Sequence, residues 1–245
     1  MRFVVLGFTF AFAPLFAEDF EKLKDHNAHA WYMYFGDHKA SKHWGLHLEG
    51  QWRRADFSAS WQQLLIRPGV NFHVNKNLML TAGYGFIRSY PYGQYPTTAG
   101  AFPEHRLYQQ ALVKHKIRKI DFQHRLRSEQ RWVGVANTNT WRTQDRFRYM
   151  LRADIPIKGR WSLGTYNEYF ANYGRNVAPD YFDQNRAYVA VGYNTGPLGR
   201  VEVGYLHQAV AQRNGRVLEY NHTLQVAFFS NTPLSWFGSR RGRVN

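Results

Sequence analysis

Two neighbouring stretches decide the fold: IDFQHRLRSEQRWVG, residues 120–134, and WRTQDRFRYMLRADIPI, residues 141–157. Apolar and ionic residues alternate in both with a period of two, which is the period of side chains along a β-strand. The polar segment Asn137–Thr140 lies between them. The two stretches therefore predict a hairpin of two strands, each with one apolar and one ionic face. A soluble β-sandwich could show the same alternation, with its apolar face turned inward.

Recurrence of this pattern favours a barrel. Similar alternation returns in segments from residue 31 to residue 230, and beyond the N-terminus no apolar run approaches the 18 residues that suggest a membrane helix. The sequence predicts an all-β, transmembrane, antiparallel up-and-down β-barrel with arginines facing the lumen. Eleven segments are visible, and bacterial barrels have an even number of strands, so we expect about 12 strands, within 10 to 12. Pro68 and the outward-pointing Gln109 predict strand irregularities.

The N-terminus predicts export. Arg2 is followed by the apolar run Phe3–Phe16 and then by Ala17, a pattern typical of a secretory signal peptide that is cleaved after Ala17. A secreted barrel is expected in the outer membrane of a Gram-negative cell. The predicted organisation is a signal peptide at 1–17, a periplasmic lead-in at 18–30, the barrel at 31–230 and a basic C-terminal tail at 231–245.

Composition excludes several classes of protein. The chain has 32 Lys plus Arg against 17 Asp plus Glu, a formal charge of +15, and no cysteine. Disulfides, cysteine metal sites and thiol nucleophiles are therefore excluded. Nucleic acid is not an expected partner, because the aromatic residues lie on the strand face opposite the arginines instead of being interleaved with them.

Several strings resemble a known family. They are EHRLYQQ (104–110), HRLRSEQR (124–131), RFRYMLRADIP (146–156), NEYF (167–170), FDQNRAYVAVGY (182–193) and EVGYLHQ (202–208). Together, over about Trp31 to Phe229, they resemble a bacterial family of secreted β-barrel-like proteins that is known only as a domain of unknown function. The resemblance implies an outer-membrane barrel. It implies no activity, ligand or catalytic residue.

The ionic faces would place many charged side chains in the lumen. We call this predicted set the charge ladder: Arg53, Arg67, Glu104, Arg106, Arg125, Arg127, Glu129, Arg131, Arg146, Arg148, Arg152, Glu168, Arg186, Arg200 and Glu202. Arg142 and Glu49 fall on the same faces. Such groups are expected to form arginine–carboxylate pairs that replace a hydrophobic core. Their excess of arginine also predicts a narrow, anion-preferring channel, with outer-membrane lipid and small anionic solutes as partners.

A membrane-embedded, lipid-modifying hydrolase or acyltransferase is the alternative function. His124 and Ser128 share a strand face, but four residues along a strand span roughly 13 Å, too far for a hydrogen bond. No histidine spacing supports a metal site beyond the pair His43 and His47, so we expect no metal and no cofactor. A periplasmic sandwich that binds acidic ligands is a third hypothesis.

Overall fold

The computed structural model describes residues 22–174, 177 and 181–235. The predicted signal peptide and most of the basic tail lie outside these residues. Eleven strands form one closed barrel in which every strand pairs with two neighbours. The strands are β1 (Leu23–Lys39), β2 (Trp44–Ala55), β3 (Ser60–His73), β4 (Leu78–Ser89), β5 (Phe102–Ile117), β6 (Ile120–Gly134), β7 (Trp141–Pro156), β8 (Trp161–Tyr173), β9 (Phe182–Gly196), β10 (Gly199–Ala211) and β11 (Val217–Ser230).

The connections differ in length at the two ends of the barrel. One end, the short-turn end, carries the connections through residues 40–43, 74–77, 118–119, 157–160 and 197–198. At the opposite, long-loop end, the connections run through 56–59, 90–101, 135–140, 174–181 and 212–216. Asn75 shows how a short turn is held, since its side-chain oxygen accepts hydrogen bonds from the backbone of Asn77 at 2.8 Å and of Leu78 at 2.9 Å.

The barrel closes through a parallel pair of strands. Ten neighbouring pairs are antiparallel, whereas β1 and β11 pair in parallel, from Leu23 with Val217 to Gly36 with Ser230. The all-β barrel is confirmed, and its eleven strands fall within the predicted range of 10 to 12. The expected twelfth strand is not needed, because a parallel seam lets an odd number of strands close. Consequently Leu23 and Ser230 lie at opposite ends of the barrel.

Strand β1 begins earlier than the sequence pattern indicates. It starts at Leu23 and so includes much of the segment predicted as a lead-in, residues 18–30. Its chemistry also reverses along its length. Asp25 and His29 are buried near its start, but further along the inward position is taken by Trp31, which is 1% exposed. A strand that is polar inside near both ends, at Asp25 and Asp37, and apolar inside at Trp31 between them has no single alternating pattern.

Apolar side chains cover the outside of the barrel. Aliphatic residues such as Leu48, Ile66 and Val191 are exposed at mid-strand. Aromatic rings flank them toward both ends: Trp52 packs against Trp61 on the long-loop side with ring centroids 6.0 Å apart, and other rings do so on the short-turn side. Within the described residues, no helix has the length and apolar character needed to cross a bilayer.

The two predicted irregularities are wrong. Pairing of β3 with β2 and β4 keeps one register on both sides of Pro68. The pyrrolidine ring of Pro68 interrupts only the local pairing with β4. The Pro68 carbonyl accepts a hydrogen bond of 3.4 Å from the Tyr108 hydroxyl. Pairing of β5 is also continuous through Gln109. Its outward amide is satisfied by donating to Gln130 at 3.1 Å, so the strand has no need to shift.

Candidate functional site

The structure places every residue of the charge ladder on the inside of the barrel. Most of these side chains are buried, and Arg125, Arg131 and Arg200 keep a small exposed fraction of 16%, 13% and 24%. Glu49 joins them, whereas Arg142 is exposed at the long-loop end. All strands from β2 to β10 except β4 contribute, because their ionic positions share the inward parity of the pleat.

Glu129 is the centre of the long-loop half of this interior. It is fully buried and accepts hydrogen bonds from Arg146 at 2.7 Å, Arg148 at 2.8 Å and Arg106 at 3.3 Å. Arg106 also donates to Glu104 at 2.6 Å. Charge-assisted bonds of this kind satisfy the carboxylate oxygens and the guanidinium groups together. The result is a cross-linked plug of side chains across the lumen.

A second cluster lies toward the short-turn end. Asp154 accepts from Arg152 at 2.6 Å and from Arg200 at 3.0 Å. Glu202 binds the same two arginines, with Arg200 at 2.9 Å, and also accepts from the Tyr188 hydroxyl at 3.3 Å. Two carboxylates and two arginines thus form a closed square on β7 and β10. The charges within this square are mutually compensated.

Further ion pairs lie at Glu168 and Glu49. Glu168 accepts from Arg125 and from Arg148, each at 2.7 Å. On the neighbouring strands β2 and β3, Glu49 accepts from Arg67 at 2.7 Å. Since Arg148 also binds Glu129, the Glu168 contacts continue those of the long-loop half, whereas the square forms a separate set of ion pairs among the described residues.

Two arginines of the charge ladder form no ion pair among the described residues. Arg53 instead donates to Gln51 and Gln63, both at 2.8 Å. Arg186 has a 3.3 Å contact with Gln184. Both guanidinium groups stack on the Trp31 ring, at 3.9 Å for Arg53 and 5.1 Å for Arg186. Cation–π contacts therefore take the place of carboxylates here, and this level of the barrel has a local excess of positive charge.

Sequence reasoning missed four interior carboxylates: Asp25, Asp37, Asp183 and Glu219. With these included, the acidic groups of the interior nearly match the arginines in number. Asp183 has the parity of outward residues, but it is skipped where β8 and β9 change register, and this bulge lets it accept from Arg146 at 2.9 Å. Asp37 has the same strand parity as Trp31, so its inward position follows once Trp31 is known to be buried.

A loop covers the mouth at the long-loop end. In this loop, residues 90–101, the Tyr92 hydroxyl donates to Glu219 at 2.7 Å. Gln212 donates to the Tyr95 carbonyl, also at 2.7 Å. Burial and the nearby negative charge of Glu219 raise the pKa of Tyr92, so its hydroxyl keeps the proton that it donates. The loop is thus fastened to β11 and to the connection that precedes it.

The short-turn half, in contrast, is hollow. A cavity of about 790 Å³ extends from the turns of this end to Arg127, Arg148 and Arg186 near mid-barrel. Almost completely buried rings lie next to these arginines: Arg127 stacks on Tyr108 at 4.9 Å and Arg186 on Phe170 at 4.7 Å. The cavity therefore opens at the short-turn end and is blind at its inner end.

His124 and Ser128, which were predicted to lie too far apart for a hydrogen bond, each bind a tyrosine on the outward face. His124 is hydrogen-bonded to the Tyr149 hydroxyl at 2.8 Å, and Ser128 to the Tyr173 hydroxyl at 2.8 Å. Each side chain is occupied by a tyrosine instead of by the other. Within the described part of the chain, no group of three His, Cys, Asp or Glu side chains could hold a metal ion.

Comparison with known proteins gives a family and no function. The model of one family, described as a protein of unknown function (DUF2490), matches residues 28–219. The chain belongs to this DUF2490 family. An uncharacterized protein of Methylorubrum extorquens is 25% identical over 174 residues, covering 68% of this chain and 72% of the relative. No solved structure matches the chain.

Proposed function

We propose that this DUF2490 protein is an integral outer-membrane β-barrel with an anion-preferring interior. The observation that carries the proposal is the wall of the barrel, which turns arginines and carboxylates inward and aliphatic and aromatic residues outward. A soluble protein rarely buries charge while exposing Trp44, Leu126 and Val203 over one continuous surface. In a bilayer, the same surface contacts acyl chains.

Outer-membrane topology supports the orientation of the barrel. Such barrels have short turns on the periplasmic side and longer loops on the extracellular side. On this basis the cavity opens to the periplasm, and the 90–101 loop covers the extracellular mouth. Leu23 then lies at the extracellular end, so this orientation does not keep the periplasmic location predicted for the lead-in at 18–30.

Anion preference is proposed from the charges that remain uncompensated. Arg53 and Arg186 lack ion pairs at mid-barrel, and Lys114 extends into the cavity mouth. Rings of basic side chains favour anions in pores. A narrow channel would run from the cavity past these arginines, but the Glu129 plug and the 90–101 loop close that route. The closed form is therefore expected to conduct little.

Two measurements test this proposal. Washing membranes with carbonate should leave the protein in the pellet, and detergent should extract it. In planar bilayers, the reconstituted protein should be silent or should show brief, anion-selective openings. Extraction without detergent would refute the membrane location, and steady cation-selective conductance would refute anion preference.

A further inference from the structure

The cavity in the short-turn half has a positively charged lining. Its basic side chains outnumber its acidic ones: Lys114, Lys116, Arg125, Arg127, Arg148, Arg152, Arg186 and Arg200 stand against Asp37, Glu49, Asp121, Asp154 and Glu168. The plug above it is more evenly balanced. A cleft of one sign with low-dielectric walls concentrates ions of the opposite sign. An anion is thus the ligand that this cavity would favour.

The inner end of the cavity has donors to spare. Arg127 Nη1, which lies 3.9 Å from Glu129 Oε1, and Arg186 Nε have no hydrogen-bond partner in the structure and almost no surface open to the cavity. Both residues line the cavity. Buried donors without an acceptor are costly, so an oxyanion that reaches these two atoms would supply hydrogen bonds that the barrel itself does not. Phosphate and carboxylate groups have the geometry that guanidinium groups bind best.

The cavity wall is also apolar in part. Met33, Phe35, Leu112, Met150 and Phe229 line it together with the charged groups. Phe35 and Phe229 stack with centroids 5.0 Å apart. An inorganic ion would leave this surface and most of the 790 Å³ unused. A ligand with an apolar body would cover it, as in most small-molecule sites.

Exposed basic residues surround the entrance. They lie on or beside four of the five short turns: Lys39, Lys42, Lys76, Lys116, Arg118, Lys119, Lys158 and Arg160. Among the described residues of these turns and strand ends, Asp121 is the exposed acid, and Lys116 binds it at 3.4 Å. Such a ring would accelerate the approach of an anion from the periplasm.

We infer that the cavity binds one organic anion, a phosphate or carboxylate with an apolar body, which enters from the short-turn end. The periplasmic origin of this ligand rests on the proposed function, whereas the binding itself rests on the cavity. The charged group contacts Arg127 and Arg186 at the inner end, and the body lies against Phe35 and Phe229. Because the inner end is blind, the ligand is held and does not pass through.

Calorimetry with the full-length barrel in zwitterionic detergent tests this inference. The probe is 2-naphthyl phosphate, compared with neutral 2-naphthol and with inorganic phosphate. We expect saturable binding of one 2-naphthyl phosphate per barrel, at least about tenfold tighter than either comparator, because each supplies only half of the contacts. Competition by dihexanoyl phosphatidylglycerol would assign the ligand to lipid, and its absence to a soluble solute.

Matched variants locate the site. Arg186→Gln should weaken binding by about tenfold or more through the loss of charge-assisted hydrogen bonds. Arg131→Gln removes an interior arginine that does not line the cavity and should leave binding unchanged. Met150→Trp should block the cavity with no change in charge. Lys114→Gln, at an exposed position, should fold normally and weaken binding several-fold.

The outcomes separate the site from the membrane location. A barrel that inserts in bilayers but binds 2-naphthyl phosphate no better than 2-naphthol would overturn the inference and leave the proposed function standing. Equal affinity in wild type, Arg186→Gln and Lys114→Gln would also overturn it. A protein that binds the probe but is extracted without detergent would retain the site and refute the membrane location.

Discussion

The two halves of the barrel interior contain the same residue types, but these fill the lumen in one half and line a cavity in the other. In the long-loop half, Glu104 and Glu129 each gather arginines, and the 90–101 loop covers what remains. In the short-turn half, arginines line a cavity of about 790 Å³ and basic residues surround its entrance. Charge density alone therefore does not decide whether a lumen is filled. The position of the carboxylates does, since Glu104 and Glu129 bind arginines from several strands in the long-loop half.

The largest expected loss of stability comes from removing a carboxylate from the ion-pair network of the long-loop half. Glu129→Gln would leave three buried arginines around an uncharged amide, and removing one partner of a buried ionic network costs about 3–5 kcal/mol. The midpoint of urea unfolding in detergent micelles measures this loss. As a control, Asp121→Asn disrupts an exposed ion pair and should cost about 0–1 kcal/mol. Similar losses in both variants would contradict the central role of Glu129.

The next largest loss of stability is expected from a charge on the apolar outer face of the barrel, which both halves share. Leu126→Arg places a charge on the outward face at mid-strand, where lipid exposure makes it cost about 2–4 kcal/mol. Ile117→Arg, at the short-turn end of β5, should cost about 0–1 kcal/mol because that position is near the interface. The free energies of unfolding of the two variants are compared in lipid bilayers. A harmless Leu126→Arg would indicate that water surrounds the barrel.

A smaller effect is expected where the loop closes the filled half. Tyr92→Phe deletes the hydrogen bond to Glu219 and leaves a buried acceptor with one partner fewer, at a cost of about 1–3 kcal/mol. Amide hydrogen exchange over residues 90–101 should speed up accordingly. Tyr95→Phe is the matched control, because the loop is held through the Tyr95 backbone carbonyl and not through its hydroxyl. Equal exchange in the two variants would show that Tyr92 does not fasten the loop.

The smallest expected effect comes from the basic residues around the cavity entrance in the short-turn half. Lys119→Gln removes one exposed charge from the entrance and should leave stability within about 0.5 kcal/mol. Association of an anionic probe should slow, with a smaller dependence on ionic strength than in wild type. Stopped-flow fluorescence measures this rate. An unchanged salt dependence in Lys119→Gln would show that the basic ring does not steer ligands.

The sequence predicted the barrel class and the ionic faces because alternation is a local property of each strand. Strands β6 and β7 show this best, since Arg125 to Arg131 and Arg146 to Arg152 keep one parity throughout. The parallel seam could not be predicted, for two physical reasons. The inward residues of β1 change from polar to apolar between His29 and Trp31, so this strand shows no regular alternation of polar and apolar residues. A parallel closing pair also cannot be read from any single strand.

The interior charge balance was predictable only in part. Arginines on regular strands follow parity, and their positions were found. Asp183 was not, because a bulge residue escapes the alternation. The cavity could not be foreseen either, since it depends on which arginines find carboxylates across the lumen, as Arg125 does with Glu168. These contacts join strands that are far apart in the chain.

The central claim is that the apolar face of this barrel contacts lipid while its charges are enclosed. The absence of native cysteine allows nitroxide labels to be attached one at a time. Labels at Val189, Val191 and Val203 should be accessible to lipid-soluble oxygen and shielded from a water-soluble nickel chelate, and a label at Lys114 should show the reverse. If the chelate reaches the three valine positions as readily as Lys114, the barrel does not lie in a membrane and the account fails.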